Sequence, residues 1–449
     1  MQVLIIILLI CWFGHLASSL INPDAEMLEH LGFSYLLGTG LFTFILFVLS
    51  LFGMKITGPS ILVVAAGFIY FLKATLRRKR GNFRHKFLSL IRSFSNFPFG
   101  EKTLTIVIAG FILMSLLSTL YWPVNEWDAL ALYDFRAKVI TRTGYFVQVA
   151  SNYSYFAHYP LLTSLLHAIV YIFNGHNPQF VYSMQFLSFV MIFGASLRRF
   201  TTRRASLLAT LLVVSTPILL KHSTISYTNL PYTIYFVLGM IYLFLSMEKQ
   251  KKRYLILSGL MVGLSTWARD VEPFWLAGLI VLVVYAVWKR KYFYPFIYSV
   301  PFFAIQLPWR FLMVKFFGKA RGVANQLSGA AVELVQKLDP DRIKEILSFV
   351  YSSVIISWGI LFPIFITIAV VSFVQKSKAG RSTLLLIIAA NFVILIVGTY
   401  LFSLNYPGWD HIPDSARRMA MFFSPLFIFY IGSTDIFARI ANMMFFRKR

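Results

Sequence analysis

A succession of continuous apolar runs, each about 20 residues long, constrains this chain more than any other feature. A helix of that length crosses the hydrocarbon core of a bilayer, whereas a membrane β-barrel would show alternating segments of about ten residues. Apolar residues make up 58% of the chain and charged residues only 13%, against about 25% charged residues in soluble domains. The sequence therefore predicts an all-α polytopic membrane protein.

The net charge of +25 comes from Lys and Arg residues that lie in short clusters between the apolar runs. The positive-inside rule places such clusters in the cytoplasm, so they indicate topology and not a nucleic-acid partner. The single cysteine, Cys11, lies in the first apolar run and supplies neither a disulfide framework nor a cysteine metal site. We therefore expect a multi-pass protein of the plasma membrane.

Alternation of basic clusters and apolar runs predicts about thirteen transmembrane helices, of which the last covers about 419–438. The run at about 103–121 then leads out of the cytoplasm and the run at 179–197 leads back, so that 122–178 is one large outer loop. Its own apolar run is too short to span the membrane. We therefore expect two interfacial helices in this loop, Ala129–Thr141 and Pro160–Phe173.

This topology predicts three parts of the chain. Residues 1–102 hold the N-terminal spans and a basic cytoplasmic loop, and 103–316 form a transmembrane module that includes the large outer loop. Residues 317–449 hold a further outer loop and the C-terminal spans.

Acidic residues are scarce in this chain, yet three of the 17 fall within nine residues, at Glu126, Asp128 and Asp134. Carboxylates held at a membrane interface beside Trp, Tyr and Arg can have shifted pKa values and serve as bases or charge clamps. Two structural explanations stay open. Asp128 caps the helix that begins at Ala129, and Asp134 forms an i,i+4 ion pair with Lys138.

Arginines on the predicted outer side depart from the positive-inside trend and need an explanation. An anionic ligand is one explanation, because the planar guanidinium recognises phosphate through a fork of donors. An ion pair is the other, and Arg417 has Asp414 as a neighbour three positions away. We assign Arg417 to that ion pair and Arg418 to an anionic ligand. For Arg269, both explanations stay open: an anionic ligand, or an ion pair with Asp270 or Glu272.

Four short stretches, spread over residues 127–425, form one pattern. They are Trp127-Asp128-Ala129 with Arg136-Ala137-Lys138, Tyr159-Pro160-Leu161-Leu162, Tyr227-Thr228-Asn229-Leu230-Pro231, and Ser415-Ala416-Arg417-Arg418 with Pro425. The pattern resembles the GT-C superfamily of polyprenyl-phosphate-sugar-dependent glycosyltransferases, which includes protein O-mannosyltransferases and lipid A aminoarabinose transferases. The resemblance implies a GT-C type fold, in which the two predicted interfacial helices match the juxtamembrane helices of the family.

The resemblance also implies an activity. The chain would move a hexose or pentose from a polyprenyl-phosphate donor to a hydroxyl of a glycan, lipid or protein acceptor, at the extracytoplasmic face of the membrane. It implies that Asp128 is the general base that deprotonates the acceptor hydroxyl. Arg136 and Lys138 would lie near the donor phosphate, and Arg418 would hold this phosphate as it leaves.

Further polar residues on the same side are candidates for binding the acceptor or the sugar. They are Glu126, Asp134, His158, Tyr159, Asn229, Arg269 and Glu272. Asn229 departs from the family pattern, because relatives usually carry Asp there and Asn cannot take a proton or offer a full charge to a metal. Either Glu126 or Asp134 compensates, or the activity is altered or absent. No redox cofactor is implied; a divalent cation stays open, although Asn229 argues against it.

Two other functions are compatible with the sequence. One is a transporter or flippase of lipid-linked sugars, because charged groups in or near the membrane also mark substrate paths. Transporters usually show repeats and broken helices at the midplane, whereas the charges of this chain gather on one side, which favours an interfacial enzyme. The other is a catalytically degenerate GT-C homologue, which the replacement at Asn229 keeps open.

Overall fold

The computed structural model of the protein describes nine stretches of the chain, residues 1–76, 88–89, 92–146, 159–269, 273–317, 339–375, 380–406, 408–411 and 413–445. Within these stretches the chain forms helices and no β-strand. Many of the helices are apolar and long. The prediction of an all-α polytopic membrane protein is therefore confirmed.

The α-helices are numbered here in chain order. They are α1 (Gln2–Ile21), α2 (Met27–Leu51), α3 (Gly58–Thr75), α4 (Phe99–Tyr121), α5 (Phe135–Thr143), α6 (Leu162–Ile172), α7 (Phe180–Leu197), α8 (Arg203–Val214), α9 (Pro217–His222), α10 (Asn229–Lys249), α11 (Lys252–Ala268), α12 (Pro273–Trp288), α13 (Tyr294–Phe317), α14 (Pro340–Val350), α15 (Leu361–Val374), α16 (Gly380–Asn405), α17 (Pro413–Ser433) and α18 (Asp435–Phe445). A π-helix, Ala129–Asp134, precedes α5, and a second one, Tyr351–Ile355, follows α14.

The predicted count of about thirteen transmembrane helices is not confirmed. Eight helices in the described stretches are long and apolar enough to cross a membrane, and the number rises to ten if each of two bent helix pairs forms one span. Several other apolar runs form shorter helices. These are α8, α11 and α12, which contain 12, 17 and 16 residues. In the first of these runs Pro217 begins a separate short helix, since proline cannot continue the hydrogen bonding of the preceding one.

The end of the chain also differs from the prediction. The expected last span at about 419–438 is interrupted, because α17 and α18 meet at an angle of 78° next to Thr434. By contrast, both helices expected in the loop 122–178 are present. The first runs from Ala129 to Thr143 as a π-helix followed by α5, and the second is α6.

The chain folds as two compact units. The first comprises Met1–Ile234, Trp267–Arg269 and Ala441–Arg449, and the second comprises Tyr235–Thr266 and Asp270–Ile440. The three parts expected from topology concern the position of the membrane and stay a prediction.

In the first unit, α1 packs along α2 and α3, and α2 also packs against α6 and α7. Glycines allow the closest of these approaches. A β-carbon on Gly14 of α1 would overlap the carbonyl oxygen of Ser34, and one on Gly38 of α2 would overlap that of Ile10. Small residues at such contacts let the backbones of membrane helices meet.

Buried hydroxyl groups connect α4, α7 and the turn after α9 in the same unit. The Ser115 Oγ lies 2.8 Å from the Ser183 Oγ and 2.7 Å from the Ser223 Oγ. A few residues further on, the Gln179 amide donates to the carbonyl of Thr224 at 2.7 Å. These bonds anchor the chain just before the third motif stretch, residues 227–231.

In the second unit, α10 is joined to α11 by a hydrogen bond of 2.7 Å from the Ser258 hydroxyl to the carbonyl of Gly239. α12 packs against α13 and α16, and α17 packs against α15 and α16. The rings of Phe365 and Phe427 stack with centroids 4.3 Å apart, and the indole of Trp358 donates to the carbonyl of Ala420. Aromatic side chains of α15 and of the turn before it thus pack on α17.

Candidate active site

The first motif stretch lies at the start of the helix in the loop 122–178. Asp128 has helical backbone angles, φ −61° and ψ −34°, and its side chain makes no capping hydrogen bond. The explanation that Asp128 caps this helix is therefore wrong. Its side chain is half-buried, whereas the neighbouring Trp127 is 79% exposed. Asp128 thus retains access to solvent beside an exposed aromatic ring.

Asp134, at the end of the π-helix, is the centre of a buried polar network. One carboxylate oxygen, Oδ2, pairs with the Lys138 ammonium at 2.7 Å, which confirms the i,i+4 ion pair expected from the sequence. The other oxygen, Oδ1, lies 3.2 Å from the His167 Nδ1 and also accepts a hydrogen bond from the Tyr171 hydroxyl. The far side of the imidazole, Nε2, lies 3.0 Å from the Tyr182 hydroxyl. The network links the π-helix and α5 to α6 and α7.

The partners of Asp134 determine its charge. Burial by itself raises the pKa of this carboxyl, but hydrogen bonds from His167, Lys138 and Tyr171 and the charge of His167 outweigh burial and lower the pKa to about 2. In the opposite direction, burial and the adjacent carboxylate raise the pKa of Tyr171 well above its ordinary value. Asp134 is thus ionised and Tyr171 protonated at neutral pH.

Arg136 is fully buried and binds the backbone of the second motif stretch. Its guanidinium donates to the carbonyl of Tyr159 at 2.6 Å and to that of Pro160 at 3.5 Å, and it lies over the ring of Tyr133 at 5.8 Å. The predicted contact of Arg136 with a donor phosphate has no support in this arrangement, because the side chain has no exposed surface. Arg136 instead fastens the chain before α6 to α5.

The third motif stretch and Arg269 meet the same region. The Tyr133 hydroxyl lies 3.1 Å from the Thr228 hydroxyl, and the ring of Tyr133 packs edge-on against that of Tyr159. The guanidinium of Arg269 donates to the Asn229 Oδ1 at 2.6 Å and lies 5.6 Å from the centre of the Tyr159 ring. Asn229, where relatives usually carry an acid, therefore acts here as a neutral acceptor for an arginine.

The structure thus brings together more than half of the residues that the sequence predicted for the site. They are Asp134, Arg136, Lys138, Tyr159, Asn229 and Arg269, all in the first unit. Glu126 and Asp128 immediately precede this group and are both half-buried. Arg418 is half-buried on α17 in the second unit, one position after Arg417, which pairs with Asp414 at 3.2 Å as expected.

Two predicted residues, His158 and Glu272, lie outside the described residues. The alternative partners of Arg269, Asp270 and Glu272, lie outside them as well, so that explanation stays open. Within the described part of the chain, no group of three or more His, Cys, Asp and Glu side chains could hold a metal ion. A divalent cation therefore stays an open expectation.

Sequence reasoning missed three members of the Asp134 network, His167, Tyr171 and Tyr182. A signal for the first was present, because His167 is an ionisable residue within the apolar run 159–173, and such residues in apolar segments usually have a polar partner. The two tyrosines gave no signal of their own, since aromatic residues are abundant throughout the chain, at 17%.

Comparison with known proteins gives one result. Residues 158–309 match the family model of dolichyl-phosphate-mannose-protein mannosyltransferases. The matched segment covers about a third of the chain and includes the second and third motif stretches and Arg269. No curated protein and no solved structure matches the chain. The family match confirms the resemblance indicated by the motifs and, together with the apolar helices, supports a membrane glycosyltransferase of the GT-C superfamily.

Proposed function

We propose that the protein transfers a sugar from a polyprenyl-phosphate donor to a hydroxyl acceptor at the extracytoplasmic face of the plasma membrane. One observation carries the proposal. Three motif stretches that are distant in the chain, 127–138, 159–162 and 227–231, are joined to one another and to Arg269 by hydrogen bonds and ring contacts. Since the family match names mannosyltransferases, mannose is the first sugar to test.

Asp128 is the better candidate for the general base than Asp134. Both oxygens of Asp134 already accept from other side chains, and a pKa of about 2 makes it a weak base. Asp128 is half-buried and lies on the helical turn before this network. In this proposal Glu126, two residues earlier, supplies the negative charge that Asn229 lacks.

The cation of the proposed donor site in the first unit is Lys138. The Lys138 side chain is 56% exposed, so its ammonium can meet a phosphate while it stays paired with Asp134. Arg418 is the residue that the resemblance assigns to the departing phosphate. Because of its burial, we assign Arg136 a positioning role, in which it holds Tyr159 and Pro160 against α5.

The acceptor oxygen attacks the anomeric carbon, the bond between that carbon and the phosphate oxygen breaks, and polyprenyl phosphate leaves with the electron pair. Asp128 takes the proton of the acceptor hydroxyl, and Lys138 stabilises the charge that develops on the phosphate.

The test is transfer by the purified full chain in lipid nanodiscs. Polyprenyl-phosphate mannose and other polyprenyl-phosphate sugars are supplied with a panel of glycan, lipid and peptide hydroxyl acceptors. We expect the Asp128→Asn variant to lose about 10²- to 10⁴-fold in kcat, the usual contribution of a general base. Asp341→Asn is the matched control, because this carboxylate is exposed and pairs only locally with Lys344 among the described residues.

Three outcomes would contradict parts of this proposal. Full turnover in the Asp128→Asn variant would remove Asp128 from the role of base. Donor binding without transfer to any acceptor would indicate a degenerate homologue. Movement of the donor across the bilayer of a liposome that contains the protein, without transfer, would indicate a flippase.

A further inference from the structure

The network around Asp134 contains a buried histidine that the proposed reaction does not use. His167 has no exposed surface, and it lies on α6, where the other buried residues are mostly apolar. A histidine in such a place costs desolvation free energy, whereas an apolar side chain of similar volume would hold α6 in place without that cost. The position of His167 therefore calls for an explanation beyond packing.

Two hydrogen bonds of the network converge on one carboxylate oxygen of Asp134. Asp134 is ionised and only accepts, so the His167 Nδ1 donates its proton to Oδ1. On the far side of the ring, Nε2 lies 3.0 Å from the Tyr182 hydroxyl. The Tyr171 hydroxyl also donates to Oδ1. His167 and Tyr171 thus both donate to Oδ1, which fixes the rotamer of Asp134 and leaves Oδ2 for Lys138.

Lys138 is the member of this network that reaches solvent. Its ammonium has three N–H donors, of which one points to Asp134 Oδ2, and the ammonium also lies 5.9 Å from the centre of the Tyr171 ring. A lysine without such restraints samples many rotamers and loses more entropy when it binds an anion. The buried part of the network thus prepares an exposed cation.

We propose that His167 is a positioning residue for donor binding, which acts on Lys138 through Asp134. The inference rests on the proposed function, because the anion that Lys138 meets is taken to be the phosphate of a polyprenyl-phosphate donor. His167 itself touches no substrate in this proposal. Tyr182 in turn holds the imidazole in the orientation that directs Nδ1 to Asp134.

The experiment measures equilibrium binding of farnesyl phosphate, a short polyprenyl phosphate, to the full chain in detergent. We expect Lys138→Ala to weaken binding about tenfold, as loss of one charge-assisted contact does. His167→Leu should weaken binding to a similar extent, and the double variant should bind no more weakly than Lys138→Ala alone. Such non-additivity is the signature of two residues that act through one interaction.

A conservative variant and two controls separate positioning from mere folding. His167→Asn keeps an N–H donor near Asp134, so it should restore most of the affinity lost in His167→Leu. His176→Leu changes an exposed histidine of the same unit, and Arg142→Ala removes a cation one turn after Lys138 on α5. Neither control should change the dissociation constant of farnesyl phosphate more than about twofold.

Several results would overturn the inference. If His167→Leu binds as the wild type while Lys138→Ala is weakened, His167 has no part in binding and the proposed function stands. Multiplicative losses in the double variant would show that His167 acts on the fold and not through Lys138. If His167→Leu does not fold, Tyr182→Phe decides, because unchanged binding in that variant contradicts the role of the network. A wild type that binds no farnesyl phosphate overturns the proposed function and this inference together.

Discussion

Asp134 receives bonds from three side chains, His167, Tyr171 and Lys138, and its carboxylate is buried. Burial alone would raise its pKa, but these partners reverse the effect and hold the pKa at about 2, below the ordinary value of 3.8. The free energy of this difference is about 2 kcal/mol. Because the folded state favours the ionised carboxyl, this group stabilises the fold at neutral pH.

This shift predicts a pH dependence of stability. A carboxyl with a depressed pKa contributes its full stabilisation above the unfolded pKa of 3.8 and loses it as the pH falls to about 2. Asp134→Asn has no such titration, so we expect its melting temperature to lie below that of the wild type at neutral pH. The difference in melting temperature between the two proteins should narrow as the pH falls from 3.8 to about 2. Thermal melts in detergent across the window would check this, and a gap that stays constant would contradict it.

The same residues show how far the sequence predicted the site. The pair of Asp134 and Lys138 followed from their i,i+4 spacing, because neighbours on one helix are fixed by local geometry. The bond from His167 joins residues 33 positions apart, and that from Tyr171 joins residues 37 apart. Such contacts depend on how α6 packs on the π-helix and α5, which no local pattern specifies. Motif spacing therefore indicated the region, and packing determined the partners.

At the scale of elements, the packing of α1 on α2 depends on Gly14 and Gly38. We expect Gly38→Ala and Gly14→Ala to lower the melting temperature, because the added methyl group would overlap a carbonyl oxygen of the facing helix and push the helices apart. The cost should be about 1–3 kcal/mol, as for other overpacked contacts. Thermal melts in detergent would measure it.

Matched controls for this prediction lie on α3 and α4. A β-carbon on Gly67 or Gly110 would meet nothing within 4 Å, so Gly67→Ala and Gly110→Ala should be neutral or slightly stabilising. Equal losses in all four variants would contradict the prediction, because overlap at the contact of α1 with α2 could not then be the cause.

Helix boundaries show a second limit of the sequence. The sequence has apolar runs at about 3–20, 33–52 and 59–75, and these fall almost entirely within α1, α2 and α3, because continuous apolar runs mark spans clearly. The bend of 78° beside Thr434 lies within a run that reads as one span. Hydropathy averages over such a run and does not register a change of direction within it.

At the scale of the whole molecule, the number of spans and their orientation come from different evidence. The described helices supply eight to ten candidate spans, whereas orientation rests on the positive-inside rule. Counting from charge gave about thirteen, because it treats each interval between basic clusters as a crossing. Intervals that contain short helices, such as α8 and α9, break that assumption.

The orientation predicts a pattern of chemical labelling. The chain has one cysteine, Cys11, so a Cys11→Ser background permits single cysteines to be placed at will. His176→Cys lies in the loop 122–178 and should react with a membrane-impermeant maleimide added to intact cells. Lys291→Cys lies in a basic cluster and should react only after the membrane is opened. Both native residues are exposed, so a reversed pattern would mean a reversed topology.

The π-helix between Asp128 and Asp134 determines the directions in which these two side chains leave the helix axis, as well as the distance between them. Each residue of an α-helix advances by about 100° around the axis, and a π-helix accommodates one more residue than a regular turn does. If the same residues formed a regular α-helix, everything that follows would be turned by about that angle. Lys138 and Asp134 would swing away from α6 together, with their mutual spacing unchanged. The phase of this helix, set by a single residue, thus decides that Asp134 is buried in the network of His167 while Asp128 stays half-buried.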